Sequence, residues 1–375
     1  MNPRVPAYGQ GSLADLLPSI GAHVGVPTAT DVLGLPDAPR YVVLLVDGLG
    51  WDALERYADV AGLLGSDGLR RVIDASVPST TVTSLTSLGT GLPPGSHGMA
   101  GYSFRWRATP AAPGVALAPL KWPLGVSGLD VQPRLTYLER LANAGVGATM
   151  VAPARFADTG LTVAGLRGAR LWPVADEDDT ARMAELSAQA AGAGERGVVY
   201  VYHRALDRAG HHSGVGSAAW LSALAQAGEL AARLRAAMPS DAVLVVTGDH
   251  GMVDVPRSRR IVAERCGGLL DGVSLLAGEA RFRHVYCGDG QVQAVLARWA
   301  DALGERAWVR TRQQAADEGW FGPLAPALAD RFGDVVAALR DDYAVVSESY
   351  RKEWELVGMH GSLTDAEVRV PLVVM

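Results

Sequence analysis

Asp207 and His211 stand four residues apart in HRALDRAGHHSG. If that segment is helical, both side chains fall on one face and can share a metal ion, while His212 points off that face. Asp249 and His250 are adjacent in TGDHGM, just after an apolar run. In a turn the chain leaves regular alternation, so both can reach inward. Asp47 closes the apolar run YVVLLV, and His360 stands in the glycine-flanked loop GMHG. Carboxylate and imidazole ligands together suit zinc or a similar divalent ion, and manganese or iron would accept the same set. Taken singly, each piece has an ordinary reading. An aspartate after a strand is commonly a cap or turn former, and an Asp-x-x-x-His pair is commonly solvated. The set points to metal because three strand ends and a fourth loop all carry ligand-type residues. His97, in GSHGM, reads as structural, and so do His23, His203, His212 and His284.

The second ingredient is a hydroxyl cluster. Val77–Tyr102 opens with PSTT and becomes a helix of small residues ending near Gly89–Gly91. The free N–H groups and positive dipole end at Ser79–Thr81 make an anion site, with a hydroxyl beside any phosphate held there. The rival motif is Gly48-Leu-Gly50-Trp-Asp-Ala53, which mimics a dinucleotide fingerprint after a strand. Asp47 directly before the first glycine would repel a pyrophosphate unless a metal intervened. Neither a Walker A sequence nor a Gly-x-Ser-x-Gly elbow is present.

These residues need a scaffold that brings strand ends together. Tyr41–Val46, Gly197–Tyr202 and Ala242–Val246 are apolar runs suited to strands buried on both faces of a parallel sheet. Ligands in such sheets bind at the carboxyl ends of strands. Further strands are predicted at Arg70–Ile73, Ala148–Val151, Arg170–Pro173 and Val368–Val374. Helices are predicted at Ser12–Ile20, Trp51–Leu64, Leu135–Ala144, Asp179–Ala193 and Trp220–Met238, with Arg105–Pro133 an irregular surface excursion. Residues 253–340 carry more charge, with strands at Ala280–Cys287 and Ala307–Thr311 and helices at Gln291–Leu303 and Phe332–Leu339. The expected fold is therefore α/β: a three-layer α/β/α core, residues 1–252 and 341–375, around a mostly parallel sheet. An inserted α+β cap subdomain, residues 253–340, covers the site, and its Arg283 and His284 are candidates for touching substrate.

Composition narrows the class. The chain has 375 residues, 34 basic against 40 acidic, for a net charge of −6. That balance does not suit binding to a nucleic-acid scaffold, which calls for a basic patch. Cys266 and Cys287 are the only cysteines, which is no disulfide framework. The first 25 residues lack a continuous apolar signal core, and no run reaches about 18 apolar residues, so no membrane association is expected. The expected location is the cytoplasm.

VVLLVDGLGWD, PSTTVTSLTSLGTGLPPGSHGM, LDRAGHHSG, VVTGDHGM and GMHG, in this order, resemble the alkaline phosphatase superfamily, in particular its nucleotide pyrophosphatase/phosphodiesterase branch. The resemblance implies two zinc ions at the carboxyl ends of a central sheet. Carried over by motif, Asp47, Thr81, Asp249 and His250 would hold one, and Asp207, His211 and His360 the other. Thr81 matches the family's nucleophile, with Thr80 as competitor. Two such ions activate an alcohol or water and stabilise both oxygens of an in-line displacement. The implied reaction is metal-dependent hydrolysis of phosphodiester or pyrophosphate bonds in a small phosphate-ester or nucleotide substrate, through a threonine-linked covalent intermediate; a phosphomonoesterase or phosphonoacetate-type hydrolase of the same superfamily, or an inactive metal-bound protein, are the alternatives. Two positions depart from the pattern. Val82 follows the nucleophile where an aromatic residue often stands, and Tyr102 occupies the place of an asparagine that helps hold a phosphoryl oxygen. The Tyr102 phenol could donate to the same oxygen.

Overall fold

The computed structural model describes residues 2–66, 69–109, 111–123 and 125–375. In chain order its principal strands are β1 (Arg40–Val46), β2 (Leu69–Asp74), β3 (Gly147–Pro153), β4 (Arg170–Val174), β5 (Gly197–His203) and β6 (Ala242–Thr247). Then come β7 (Val273–Glu279), β8 (Phe282–Cys287), β9 (Ala307–Thr311), β10 (Val335–Leu339) and finally β11 (Arg369–Val374). The main sheet runs in the order β2-β11-β6-β1-β5-β3-β4. Its pairings are parallel except those of β11, which lies antiparallel between β2 and β6.

Every residue of the β1 run Tyr41–Val46 is buried. Tyr41, Val43 and Leu45 pack in one core cluster with the helix Leu16–Val24 and with Leu85 and Leu88. Val42, Leu44 and Val46 pack in the other with the helices Thr180–Ala191 and Ala218–Ala237. Such two-sided burial, about 1.5–3 kcal/mol per large apolar side chain, is why the strand reads as an unbroken apolar run. The three α/β/α layers follow directly.

Several expectations are corrected. The helix expected over Trp51–Leu64 stops at Arg56 and is followed by a 3-10 turn at Gly62–Gly65. The helix Ala218–Ala237 crosses here so closely that a Cβ on Gly228 would lie 2.1 Å from the Ala61 carbonyl oxygen. Phe332–Leu339, expected as helix, contains β10, a strand paired on both sides. A short apolar run cannot be assigned by periodicity alone, and here the sheet decides. β7 went unpredicted; with β8, β10 and β9 it forms a second, four-stranded sheet in the order β7-β8-β10-β9. Arg105–Pro133 enters through a short hairpin, Phe104–Trp106 with Val115–Leu117, that begins one residue before it; Pro110 and Leu124 of that segment lie outside the described residues. The second sheet shares a hydrophobic cluster with Val77, Val82, Met99, Ala100 and Phe104 of the main body. Among the described residues no helix is long and apolar enough to cross a membrane.

Candidate active site

β6, β1 and β5 are neighbours in the middle of the main sheet. Their carboxyl ends therefore deliver Asp249–His250, Asp47 and the Asp207 segment to one place. The Asp47 N–H continues the ladder to the His203 carbonyl at 2.9 Å, and the Asp207 N–H reaches the Asp47 carbonyl at 3.1 Å. Gly48 makes this approach possible. Its φ is +78°, and a Cβ there would sit 3.0 Å from the Asp207 Cα. Its N–H donates to Asp249 Oδ1 at 3.0 Å.

The helix α1 (Thr81–Thr90) begins at the same spot, with Thr80 as its extended N-cap residue. Its hydroxyls fold back onto its own carbonyls, Thr86 to Val82 at 2.7 Å and Thr90 to Thr86 at 2.6 Å, so a helix rich in Ser and Thr can lie buried. Thr81, its first residue, places Oγ1 3.2 Å from His250 Nε2 and 3.5 Å from Asp47 Oδ1. Thr80 makes no such contact among the described residues. The helix α2 (Ala205–Ser213) presents Asp207 and His211 together, Oδ1 to Nε2 at 3.3 Å. His212 turns away and bonds the Arg208 carbonyl. His360 completes the group, its ring stacked on that of His250 with centroids 3.5 Å apart and its Nε2 3.8 Å from Asp207 Oδ1.

The three imidazoles are held alike. His211 Nδ1 lies 2.8 Å from the Gly358 carbonyl, His250 Nδ1 2.9 Å from the Gly251 carbonyl, and His360 Nδ1 2.9 Å from the Ser79 carbonyl. A carbonyl only accepts, so each Nδ1 carries the hydrogen and each Nε2 is left to face the carboxylates. This is the outer-sphere arrangement of metal-ligating histidines. Among the described residues, Oδ1 of Asp207 and Oδ2 of Asp249 have no hydrogen-bond partner. Burial, then the charges of Asp249 and Asp207, push the Asp47 carboxyl well above its ordinary value. Burial also raises Asp249. Burial, and next the neighbouring His250 and His211, hold His360 well below the usual imidazole range. Ligand atoms of Asp47, Asp249 and His250 lie within 4.8 Å of one another, as do those of Asp207, His250 and His360. The donor set, the unpartnered oxygens and the mutual repulsion all fit divalent cations.

Two cavities meet here, and Thr81, Leu120 and Asp207 line both. The larger, about 580 Å3, is walled by the second sheet and residues 348–360, and includes Tyr102. The smaller, about 190 Å3, is mostly apolar, with Leu85, Met150, Phe156, Leu161 and Leu166. Tyr102 is half-buried, and its N–H donates to Glu279 Oε2 at 2.9 Å. Arg283 and His284 do not line either cavity. Arg283 is fully buried, bonded to the Val345 carbonyl at 2.7 and 2.9 Å and paired with Glu353. His284 is spent on the Ala100 carbonyl at 2.6 Å and the Gly333 N–H at 3.1 Å. His97 likewise bonds Ser87 Oγ and the Met99 N–H.

Sequence reasoning missed Tyr202, whose hydroxyl donates to Asp47 Oδ2. The only signal was two tyrosines, 200 and 202, on one face of an apolar strand. It also missed Glu279 and Glu353, which line the larger cleft. The clamp Arg281–Glu367 was equally hidden. Both residues are fully buried and joined by two bonds of 3.0 and 2.6 Å, and they fasten the second sheet to the loop that carries His360.

The family model described as type I phosphodiesterase / nucleotide pyrophosphatase matches residues 41–363. No curated protein matches the chain. Among solved structures, murine ectonucleotide pyrophosphatase/phosphodiesterase 5, as an inactive threonine-to-alanine variant in complex with AMP, superposes with a TM-score of 0.69 at 17% identity, covering 89% of this chain and 87% of that one. Phosphonoacetate hydrolase from Sinorhizobium meliloti 1021, in complex with phosphonoacetate, superposes with a TM-score of 0.67 at 18% identity, covering 91% of each chain.

Proposed function

The chain belongs to the type I phosphodiesterase / nucleotide pyrophosphatase family, and on that premise we propose that it is a metal-dependent hydrolase of phosphodiester or pyrophosphate bonds. The supporting observation is the common tethering of His211, His250 and His360 by Nδ1, with Nε2 facing unpartnered carboxylates beside Thr81. Asp47, Thr81, Asp249 and His250 would hold one divalent ion, and Asp207, His211 and His360 the other, zinc being the ion that best suits this donor set. Bound there, such ions supply positive charge that lowers the pKa of an alcohol or a water. Thr81 Oγ1 gives up its proton and attacks phosphorus, the bond to one ester oxygen breaks, that oxygen leaves as a protonated alcohol, and Thr81 is left carrying the phosphoryl group with its remaining ester substituent. Water then attacks that phosphorus and releases Thr81. The open N–H groups at the start of α1 hold the phosphoryl oxygens.

The two cavities favour a diester. Phosphorus placed at Thr81 has room for one substituent in each, and the smaller suits an apolar or aromatic group. Val82 is buried and offers no face to a base. Tyr102, on the wall of the larger cleft, would contact the substituent there.

The test compares bis-p-nitrophenyl phosphate, p-nitrophenyl phosphate and phosphonoacetate on protein of measured metal content. Diester cleavage should dominate, and Thr81→Ala should remove it by more than about a thousandfold while the fold persists. Faster monoester or phosphonate cleavage would transfer the protein to those classes, and turnover that survives Thr81→Ala would sink the covalent route.

A further inference from the structure

We infer that Glu279, Glu353 and Tyr102 form a subsite on the wall of the larger cleft for an ammonium group carried by one arm of the substrate. The inference rests on the phosphodiester reading and adds the chemical class of that arm.

Glu279 ends β7, is only 9% exposed and lines the cleft. Its Oε2 accepts the Tyr102 N–H, while its Oε1 has no partner among the described residues. Among the described residues it makes no ion pair. Burial pushes its carboxyl up to about 8 from an ordinary 4.5. A buried carboxylate without a cation is costly, and the same reasoning that asks for a cation at Asp47 asks for one here.

Glu353, 8% exposed, lines the same wall. Its Oε2 is paired with Arg283, and its Oε1 is also without a partner. Among the described residues Arg283 pairs with Glu353 alone and Glu279 has no cation of its own, so the wall can accept one more cation, which would favour the ionised form of Glu279. An ammonium carries three N–H donors and no acceptor, which matches two unused carboxylate oxygens. The Tyr102 ring beside them adds an aromatic face for a cation. A divalent metal fits less well. Both metal-type clusters among the described residues lie at the Thr81 site, so two glutamates here lack a third ligand. Lys121, Arg351 and Lys352 at the cleft mouth are exposed, and water screens their charge.

Two esters of matched length decide it: p-nitrophenyl 2-aminoethyl phosphate and its uncharged counterpart p-nitrophenyl propyl phosphate. The metal-loaded protein should prefer the amine by about tenfold or more in kcat/KM, mainly through KM. Glu279→Gln keeps the shape and can still accept the Tyr102 N–H; it should bring the ratio close to one. Equal rates in the wild type, a preference for the propyl ester, or a preference for the amine that persists in Glu279→Gln would each overturn the subsite. If neither ester is cleaved, the diesterase reading fails separately. Calorimetric titration with 2-aminoethylphosphonate against propylphosphonate then still decides the subsite, tighter binding of the amine supporting it and equal binding overturning it.

Discussion

Two sets of buried acids near the Thr81 cleft are stabilised in different ways. On the second-sheet side, Glu367 and Glu353 each face a fully buried guanidinium, Arg281 and Arg283, at the start of β8 and beside its partner strands. On the main-sheet side, Asp47, Asp207 and Asp249 pair with no arginine or lysine among the described residues; their neighbours include the Nε2 atoms of histidines held in one tautomer. The contrast separates scaffold from site. An arginine-paired acid carries its counter-charge within the chain and fastens one sheet to another. A cluster of acids whose nearest potential cations are imidazoles with Nε2 turned toward them leaves its counter-charge to be supplied from outside, and such a group could hold a metal.

The contrast breaks most sharply by removing the external charge. Exhaustive chelation should abolish turnover, by more than about a thousandfold. It should also lower the melting temperature on the order of 5–10 °C, recovered on adding zinc. Activity and melting temperature that both survive verified metal loss would put the aspartates in the same class as the arginine-paired glutamates. The internal charge gives the opposite outcome. Arg283→Met leaves Glu353 buried without its partner and should cost roughly 3–5 kcal/mol in denaturant unfolding. Metal content, read by elemental analysis, should stay as in the wild type. A loss of metal in that variant would mean the two sets are coupled.

The main-sheet set was legible in the sequence for a physical reason. Asp47, Asp249 and His250 end apolar runs that must be buried, so their polarity stands out against a known environment. The four-residue spacing of Asp207 and His211 carries its geometry with it once the segment is a helix. What could not be read depends on long-range contacts. Glu279 and Glu353 come together from segments more than 70 residues apart, and nothing local distinguishes them from surface acids. Arg283 reads as a candidate for touching substrate, yet strand pairing between β8 and β10 seals it inside. β10 itself, VVAAL, has an apolar run whose period fits helix or strand, and its neighbours on both sides settle the matter. Tyr202 in GVVYVY is indistinguishable from a core aromatic until Asp47 is placed beside it.

Tyr202 tests the support of the external-charge set. Its hydroxyl fixes one oxygen of Asp47, so Tyr202→Phe removes an outer partner without touching a ligand atom. Partners of this kind are typically worth about 10–100-fold in metal affinity or activity. Competition with a chelator of known affinity would measure the change, and an unaltered affinity would reduce Tyr202 to packing.

The smallest effect sharpens the comparison at Glu279, a buried acid that belongs to neither set. It lacks both an arginine of its own and a histidine cluster, and burial raises its carboxyl to about 8. A folded-state pKa above the unfolded one means the folded chain holds the proton more tightly. The favourable contribution is complete below about pH 4.5 and is lost as pH rises through 8. Glutamine at this position does not titrate. The melting temperature of Glu279→Gln minus that of the wild type should therefore increase from pH 5 to about pH 8 and then level off, in the absence of any amine. Adding an excess of 2-aminoethylphosphonate should flatten that trend, because a bound ammonium favours the ionised carboxylate. Parallel melting profiles without the amine would show that Glu279 already has a counter-charge in the free protein, and would remove the reason to look for one in the substrate.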